Sequence, residues 1–459
     1  MKKKPVALTA LTLAATAILG ACGNNASNDG AASSGSASAP ASSAAAGASA
    51  SAPASGEKIK LSIWHNFSGD DLRAKAVRGQ IDKFKAAHPE IELDAQAIPP
   101  DGYRQRLKTV AAAGEMPDVF FTQSGTSIQE FYDGGLIQPI TPLLDKYPEW
   151  KNNFMEGALD RLSFDGQVYA TPLSGSATSL FFYNKSLFDK YQVKVPTTWD
   201  ELMTAVKTFN DNKITPISLG NKAAWLAQSS IISSLADRVT GTDWFLKAAK
   251  QDGASFTDPE FVKALQLFKD LSTAKAFQTG ANSLDNTQME QYFIEGKAAM
   301  MIDGSWALTN MAATGTPEQL DQVEVTVLPS VPGGKGDPNS ISGGSGGGMA
   351  LSKTVTGAKL DAALELIYAI GGPEGMQAIV NSNSVVNYKV EPDQAVVTPL
   401  FYKAFTLFKS VKLTPVYDAY LTSAAADAIN NGLQDLLLSG KPETVAKKLQ
   451  DAQAQALGK

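Results

Sequence analysis

Apolar and polar residues alternate where the folded part of the chain begins. Ile59, Leu61 and Ile63 are set against Lys58, Lys60 and Ser62, the period-two pattern of a half-buried strand. The period then changes: Leu72, Ala76, Val77, Ile81 and Phe84 line one face of a helix, which His88-Pro89 stops. Ile91, Leu93, Ala95 and Ala97 alternate again, Tyr103 to Ala113 reads as a helix closed by Gly114, and Val119-Phe120-Phe121 is a short buried strand. Strands separated by helices pair in parallel through right-handed crossovers, so this β-α-β-α-β order predicts an open α/β sheet.

Further along, Thr198-Trp199-Asp200-Glu201 has the form of a capping box ahead of the stripe Leu202, Val206 and Phe209. Asp258-Pro259 offers an N-cap and an N1 proline before Phe261, Leu265, Phe268 and Leu271. Gly296 closes another helix, and Ala298 to Ile302 reads as a strand ending at Asp303-Gly304. The stretch from Ser423 to Leu457 reads as two helices broken at Gly440-Lys441-Pro442. The run Gly343 to Gly348 lacks both the Gly-Lys-Ser/Thr of a phosphate loop and the spacing of a dinucleotide site. It predicts a hinge or a close backbone approach, where a missing Cβ is an advantage.

The chain starts differently. Lys2, Lys3 and Lys4 precede the short apolar run Val6 to Gly20, the pattern of a secretory signal rather than of a spanning helix. Leu19-Gly20-Ala21-Cys22 resembles a bacterial lipobox, and Cys22 is the one cysteine of the chain, so residues 1–21 are expected to be removed and Cys22 to carry the lipid anchor. Residues 22–56 hold almost only Ala, Ser, Gly, Asn and Pro and cannot build a core. As a flexible tether they reach about 30 Å. The remainder is too long for one ordinary core and predicts two lobes. A net charge of −6 with scattered Lys and Arg argues against nucleic acid as a partner, and two histidines leave little to build a metal site from. No cofactor is expected.

Several short motifs follow one another in a definite order: Trp64-His65-Asn66, Gly114-Glu115-Met116-Pro117-Asp118-Val119, Gly134-Gly135-Leu136-Ile137 and Tyr169-Ala170-Thr171-Pro172. Phe182-Tyr183-Asn184-Lys185, Pro196-Thr197-Thr198-Trp199, Gly296-Lys297-Ala298-Ala299-Met300 and Gly304-Ser305-Trp306 complete the series. In this order they resemble the family 1 extracellular solute-binding proteins, the carbohydrate receptors of ABC importers, which include maltose-binding protein. The resemblance implies a two-lobe α/β fold of the Venus-flytrap type with hinge crossovers and a ligand cleft between the lobes. Lobe 1 is expected at 57–172 and 344–392, and lobe 2 at 173–343 and 393–459. It also implies a carbohydrate as ligand, ABC permease subunits as partners, attachment to the outer face of the cell membrane and a receptor that works as a monomer.

A sugar offers hydroxyls to polar groups and a C–H face to an aromatic ring, so its cleft pairs aromatics with Asp, Asn, Gln, Ser or backbone. Trp306, in the family's Gly-x-Trp position, is the first candidate for a stacking platform, with Asp303 beside it. His65 and Asn66 stand at the carboxyl end of the first strand. Trp64 joins the inward set of Ile59, Leu61 and Ile63 only if a bend reverses the alternation. Gln123 and Ser124 end the Val119 to Thr122 strand in the same way. Trp225, Gly344 and Tyr417 complete the candidate set, while Trp150, Trp199, Trp244 and Asp118 are assigned to structure. Arg104 and Arg106 read as a solvated helix face, and no Arg pair that would grip an acidic sugar is evident. Competing readings are the same receptor carrying a polyamine, iron complex, peptide or phosphate ester, a secreted carbohydrate-active enzyme, and a surface adhesin. No Gly-x-Ser-x-Gly elbow, zinc motif or His-based triad favours the enzyme.

Overall fold

The computed structural model describes residues 58–155 and 157–459. The expected signal, Cys22 and the tether lie outside the described residues. Among those described, no helix is long and apolar enough to cross a membrane.

The alternation read at the start of the chain becomes β1 (Ile59–His65). It lies between β2 (Ile91–Ala97) and β3 (Val119–Thr122), parallel to both, with the helices Leu72–Ala87 and Pro100–Ala113 as crossovers. The second helix begins ahead of the expected Tyr103, because Pro100 fits a first turn that has no use for its missing N–H. Gly114 closes that helix in the left-handed region at φ +74. β4 (Ile137–Gln138) is followed by a small hairpin of β5 (Ser163–Phe164) and β6 (Gln167–Val168). β7 (Ala170–Pro172) leads out of the first sheet into β8 (Gly175–Ala177).

A second sheet follows. It contains β9 (Leu180–Asn184), β10 (Thr215–Ser218), β11 (Ala298–Asp303) and β12 (Val323–Val327), in the order β10-β11-β9-β12. The chain returns through β13 (Ser340–Ser345) and β14 (Gly348–Ser352), and β14 completes the first sheet in the order β2-β1-β3-β14-β4, with β7 also paired to it. The last strand, β15 (Lys412–Thr414), pairs with β13. Each sheet is packed by its own helices, so the fold is a pair of α/β lobes.

The two lobes are joined by an antiparallel ribbon in which Gly343, Gly344 and Ser345 of β13 face Ala177, Ser176 and Gly175 of β8. Here the glycine run has its reason. A Cβ on Gly343 would lie 2.2 Å from the Ser176 carbonyl oxygen, and one on Gly347 would lie 2.2 Å from Phe121 Cζ. The close-approach expectation holds, and nothing in this ribbon is arranged as a phosphate loop.

Local signals mostly became the elements they predicted. Thr198 and Glu201 form a full capping box, worth about 1 kcal/mol, and Trp199 behind it is buried. Asp258 caps differently from expectation: its carboxylate accepts from Trp244 Nε1 at 2.9 Å and from Ser255 N at 3.1 Å, with no side-chain bond into its own helix. Trp150 is buried and donates to the Gly371 carbonyl at 2.9 Å. Asp118 accepts from Ser62 N and Oγ, tying the entry of β3 to β1. The two arginines read as a solvated face are exposed, and from there each reaches a neighbour. Arg104 donates to Ser423 Oγ at 2.9 Å, and the Arg106 guanidinium lies 4.6 Å from the Trp64 ring centroid.

Candidate functional site

Open α/β sheets hold ligands beyond the carboxyl ends of their strands. At the end of β11, Asp303 is fully buried and its Oδ1 accepts from Gly304 N at 2.7 Å. Burial pushes its pKa up to about 7, while the Gly304 N–H, the Glu290 carboxyl and the nearby Trp306 N–H pull the other way. Ser305 N donates to the Ala177 carbonyl at 2.7 Å, which pins this turn to the interlobe ribbon. Trp306 then opens the helix Trp306–Thr314 with its ring folded back over Gly304.

Only glycine fits beneath that ring, since a Cβ on residue 304 would come within 2.2 Å of Trp306 Cη2. The Trp306 ring is half-buried, and its Nε1 is enclosed beside the Asp303 carboxyl. Trp225 meets it edge to face, 5.4 Å between centroids and 70° between planes. That geometry follows the opposite charge of ring faces and edges. Ala224 holds Trp225 out from the preceding turn by taking a left-handed φ of +66, a conformation alanine adopts at a cost of about 1 kcal/mol. A π-helical turn, Ala227–Ile232, follows directly. Asp303, Trp306 and Trp225, chosen separately from the sequence, are thus brought together.

A second group gathers at the ends of β1 and β3, which are adjacent because Trp64 pairs with Phe120. His65 is buried, and its Nδ1 accepts from Phe67 N at 3.2 Å, so that nitrogen carries no proton. Burial, reinforced by the Arg78 charge, lowers its pKa to about 4. Arg78 holds the following loop through the carbonyls of Phe67 at 2.6 Å and Gly69 at 2.8 Å. Asn66 is half-buried with its Oδ1 enclosed and unpartnered. The two groups are neighbours. Asp71, the N-cap of the helix after β1, accepts from Ala74 N at 2.9 Å and from the Thr309 hydroxyl, on the Trp306 helix, at 3.5 Å.

Gln123 is exposed at the end of β3, whereas Ser124 is buried and donates to the Ser345 carbonyl at 2.6 Å. Gly344 lies in the ribbon, where its carbonyl accepts from Asn387 Nδ2 at 3.2 Å. Two candidates lie elsewhere. The alternation of β1 runs on without a bend, so Trp64 points to the face opposite Ile63 and packs under Arg106. Tyr417 is buried in the core, stacked on Phe245 at 3.8 Å and 11°, with burial pushing its pKa well above the usual phenol value.

Sequence reading passed over Glu290. It is 2% exposed and sits behind the Trp306 turn on the helix Asn286–Ile294. The signal was available: Glu290 precedes Phe293 and Ile294 by three and four positions, which puts an acid in the buried stripe of its helix. Burial and the Asp303 charge push its carboxyl well above the usual range, against hydrogen bonding from Asn310 and Asn286. Among the described residues, no group of three or more His, Cys, Asp and Glu could hold a metal ion. A recess of 510 Å³ beside β10, lined among others by Lys213, Phe277 and Tyr292, contains no residue of either group.

Comparison with known proteins agrees with this architecture. A solved structure described under xylan utilization by the thermophilic bacterium Caldanaerobius polysaccharolyticus is similar to this chain with a TM-score of 0.76 and 28% identity, covering 86% of this chain and 99% of that one. A chitin oligosaccharide binding protein gives a TM-score of 0.80 at 24% identity, covering 87% and 99%. Among curated relatives, the maltotriose-binding protein of Pyrococcus abyssi is 24% identical over 56% of this chain and 51% of its own length. An uncharacterized ABC transporter extracellular-binding protein of Pyrococcus horikoshii is 24% identical over 59% of this chain. The chain spans 61% of the length of that relative and 59% of a putative binding protein of Brucella abortus. Residues 70–377 match the model of the bacterial extracellular solute-binding proteins, and the chain belongs to that family.

Proposed function

We propose that this chain is an extracytoplasmic receptor that captures a sugar or oligosaccharide between its lobes and presents it to an ABC importer. The observation that carries this reading is the Trp306–Trp225 pair, a half-buried aromatic corner backed by Asp303. Such a corner can cover the C–H face of a pyranose while Asn66 and backbone groups meet its hydroxyls. The names of a maltotriose-binding relative and a chitin oligosaccharide-binding neighbour support the same class of cargo. Lobe 1 then comprises 57–172 and 344–392, and lobe 2 comprises 173–343 and 393–459, hinged at the ribbon. Cys22 anchors the chain to the membrane by lipid, and a single copy meets the permease subunits.

The site binds and does not hydrolyse. A glycosidase sets its two carboxyls about 5–9.5 Å apart on either side of the scissile bond. Asp303, the acid behind the aromatic corner, is instead enclosed with its Oδ1 bound to Gly304 N at 2.7 Å, the place of a carboxyl that holds a turn.

The test is a thermal-shift screen of the full chain in detergent against maltotriose, xylotriose, chitobiose and galactose, with amino acids, spermidine and ferric chelates as controls. A ligand that binds only the folded state stabilises it by about 2.7 kcal/mol at a hundredfold excess over Kd. A saccharide should raise the melting temperature, and Trp306→Ala should abolish the rise. A shift with a control ligand alone would overturn the cargo.

A further inference from the structure

The short helical turn Tyr417–Ala419 and the start of the helix Ser423–Leu436 belong to lobe 2 of the proposed receptor, where Tyr417 stacks on Phe245 and Tyr420 meets the same ring edge to face at 5.8 Å. Their outer groups turn to lobe 1. Thr126 Oγ1 donates to the Asp418 carbonyl at 3.0 Å, and Arg161 donates to the Ala419 carbonyl with its guanidinium 3.7 Å from the Tyr420 ring centroid. A cation over an aromatic face is attracted by it. Gly125 lets the two turns come this close. At its φ of +75, a Cβ would lie 2.4 Å from the Ala419 carbonyl oxygen and 2.7 Å from Arg161 Nη2.

Ser423 is the hub of a second set of bonds. A hydroxyl has one proton to donate and two lone pairs to offer. That of Ser423 accepts from Arg104 Nη2 at 2.9 Å and from Lys108 Nζ at 3.2 Å, and donates to the Glu130 carboxylate. All three partners stand on lobe 1, and Lys108 is also paired with Glu130 at 2.8 Å.

The place of these contacts gives them a direction. Gly125 and Thr126 follow β3, and Arg104 and Lys108 stand on the helix that leaves β2. The contact therefore lies along the carboxyl-end rim of the first sheet, the side on which such sheets hold ligand. Contacts on that side form as the lobes close and break as they part. None of these bonds involves Trp306, Trp225 or Asn66, so they do not wait for a sugar on the platform.

We propose that Arg161, Thr126 and Ser423, with their partners, form a clasp that holds the lobes together, so that closure comes partly from the protein and not from its cargo alone. A ligand that needs the closed state binds in proportion to the fraction of chains already closed, and the clasp sets that fraction. The inference rests on the ribbon being the hinge of the proposed receptor, not on the nature of the cargo.

The first measurement is the radius of gyration of the full chain without ligand, by neutron scattering in contrast-matched detergent. R161M/S423A, which removes the guanidinium and the hydroxyl hub, should be larger than wild type. S423T, which keeps a hydroxyl, and K185Q, which breaks the Lys185–Asp189 pair inside lobe 2, should match wild type. The second is the circular-dichroism melt, which separates parting of the lobes from unfolding and should stay close to wild type in R161M/S423A. The third is the Kd for xylotriose and maltotriose. Where one binds, it should weaken about three- to tenfold in R161M/S423A and stay unchanged in K185Q. The same radius in R161M/S423A and wild type, or an increase that comes with a collapsed melt, would overturn the clasp. If the radius rises with the melt intact and no saccharide binds, the clasp stands and the cargo reading fails.

Discussion

Gly304→Ala tests the platform most directly, because the structure says which atoms resist it. The three atoms nearest the added Cβ all belong to Trp306, at 2.2, 2.3 and 2.5 Å. Carbon atoms rest about 3.5–4.0 Å apart, so the ring must retreat by more than an ångström. Overpacking of this kind costs about 1–3 kcal/mol. For roughly 400 folded residues, an unfolding entropy of about 2.1 cal/mol/K each converts that to a fall of about 1–4 °C in Tm. A displaced ring also loses its stacking energy, about 0.5–1.5 kcal/mol, which weakens sugar affinity about two- to tenfold. In a Trp306→Ala background those three atoms are gone, and the same substitution should cost almost nothing. The assay is a double-mutant cycle read by urea unfolding and by calorimetric Kd. Strong coupling, with the Gly304→Ala penalty confined to the chain that retains the indole, is expected. Additive penalties would refute the argument, because they would mean that residue 304 meets something other than Trp306.

Two further outcomes follow from buried charge. Arg238 is 1% exposed and bonds the Leu328 carbonyl together with both the carbonyl and the hydroxyl of Ser340, so Arg238→Met should cost about 3 kcal/mol in a urea titration by leaving those acceptors unpaired. His65 has its pKa lowered from 6.5 to about 4, so the unfolded chain binds more protons than the folded one between these values. Stability is therefore lost as pH falls from about 6.5 towards 4, by at most about 3 kcal/mol. NMR titration of the two histidines should find one still neutral at pH 5.5, and a normal midpoint for both would contradict the burial argument.

The elements were legible because they depend on short-range physics. β1, the helix Leu72–Ala87 and the Thr198 capping box are written in periods of two and 3.6 and in residues that bond their own backbone. The glycines of 343–348 could be read as a place where backbones meet, although not which backbones. Trp306, Trp225 and Asp303 could be picked out one by one from the chemistry a sugar needs. Their assembly could not be, because 225 and 303 are separated by long stretches of chain that only packing brings together.

Burial separated residues that look alike in the sequence. Trp64 and Trp306 each follow or end a strand, yet one lies under Arg106 and the other over Gly304. Tyr417 looked like a loop aromatic and stacks in the core against Phe245. Glu290 stands in the buried stripe of its helix and Asp303 beside a candidate platform, but how completely each is closed off from water is not written along the chain. The sequence by itself determined the α/β elements, their order and the residue types on offer for binding, because those follow from neighbours along the chain. The tertiary structure alone decided which aromatics share a corner and which carboxyls are closed off from water. Dielectric surroundings and approach distances belong to the packed chain, and no residue carries them alone.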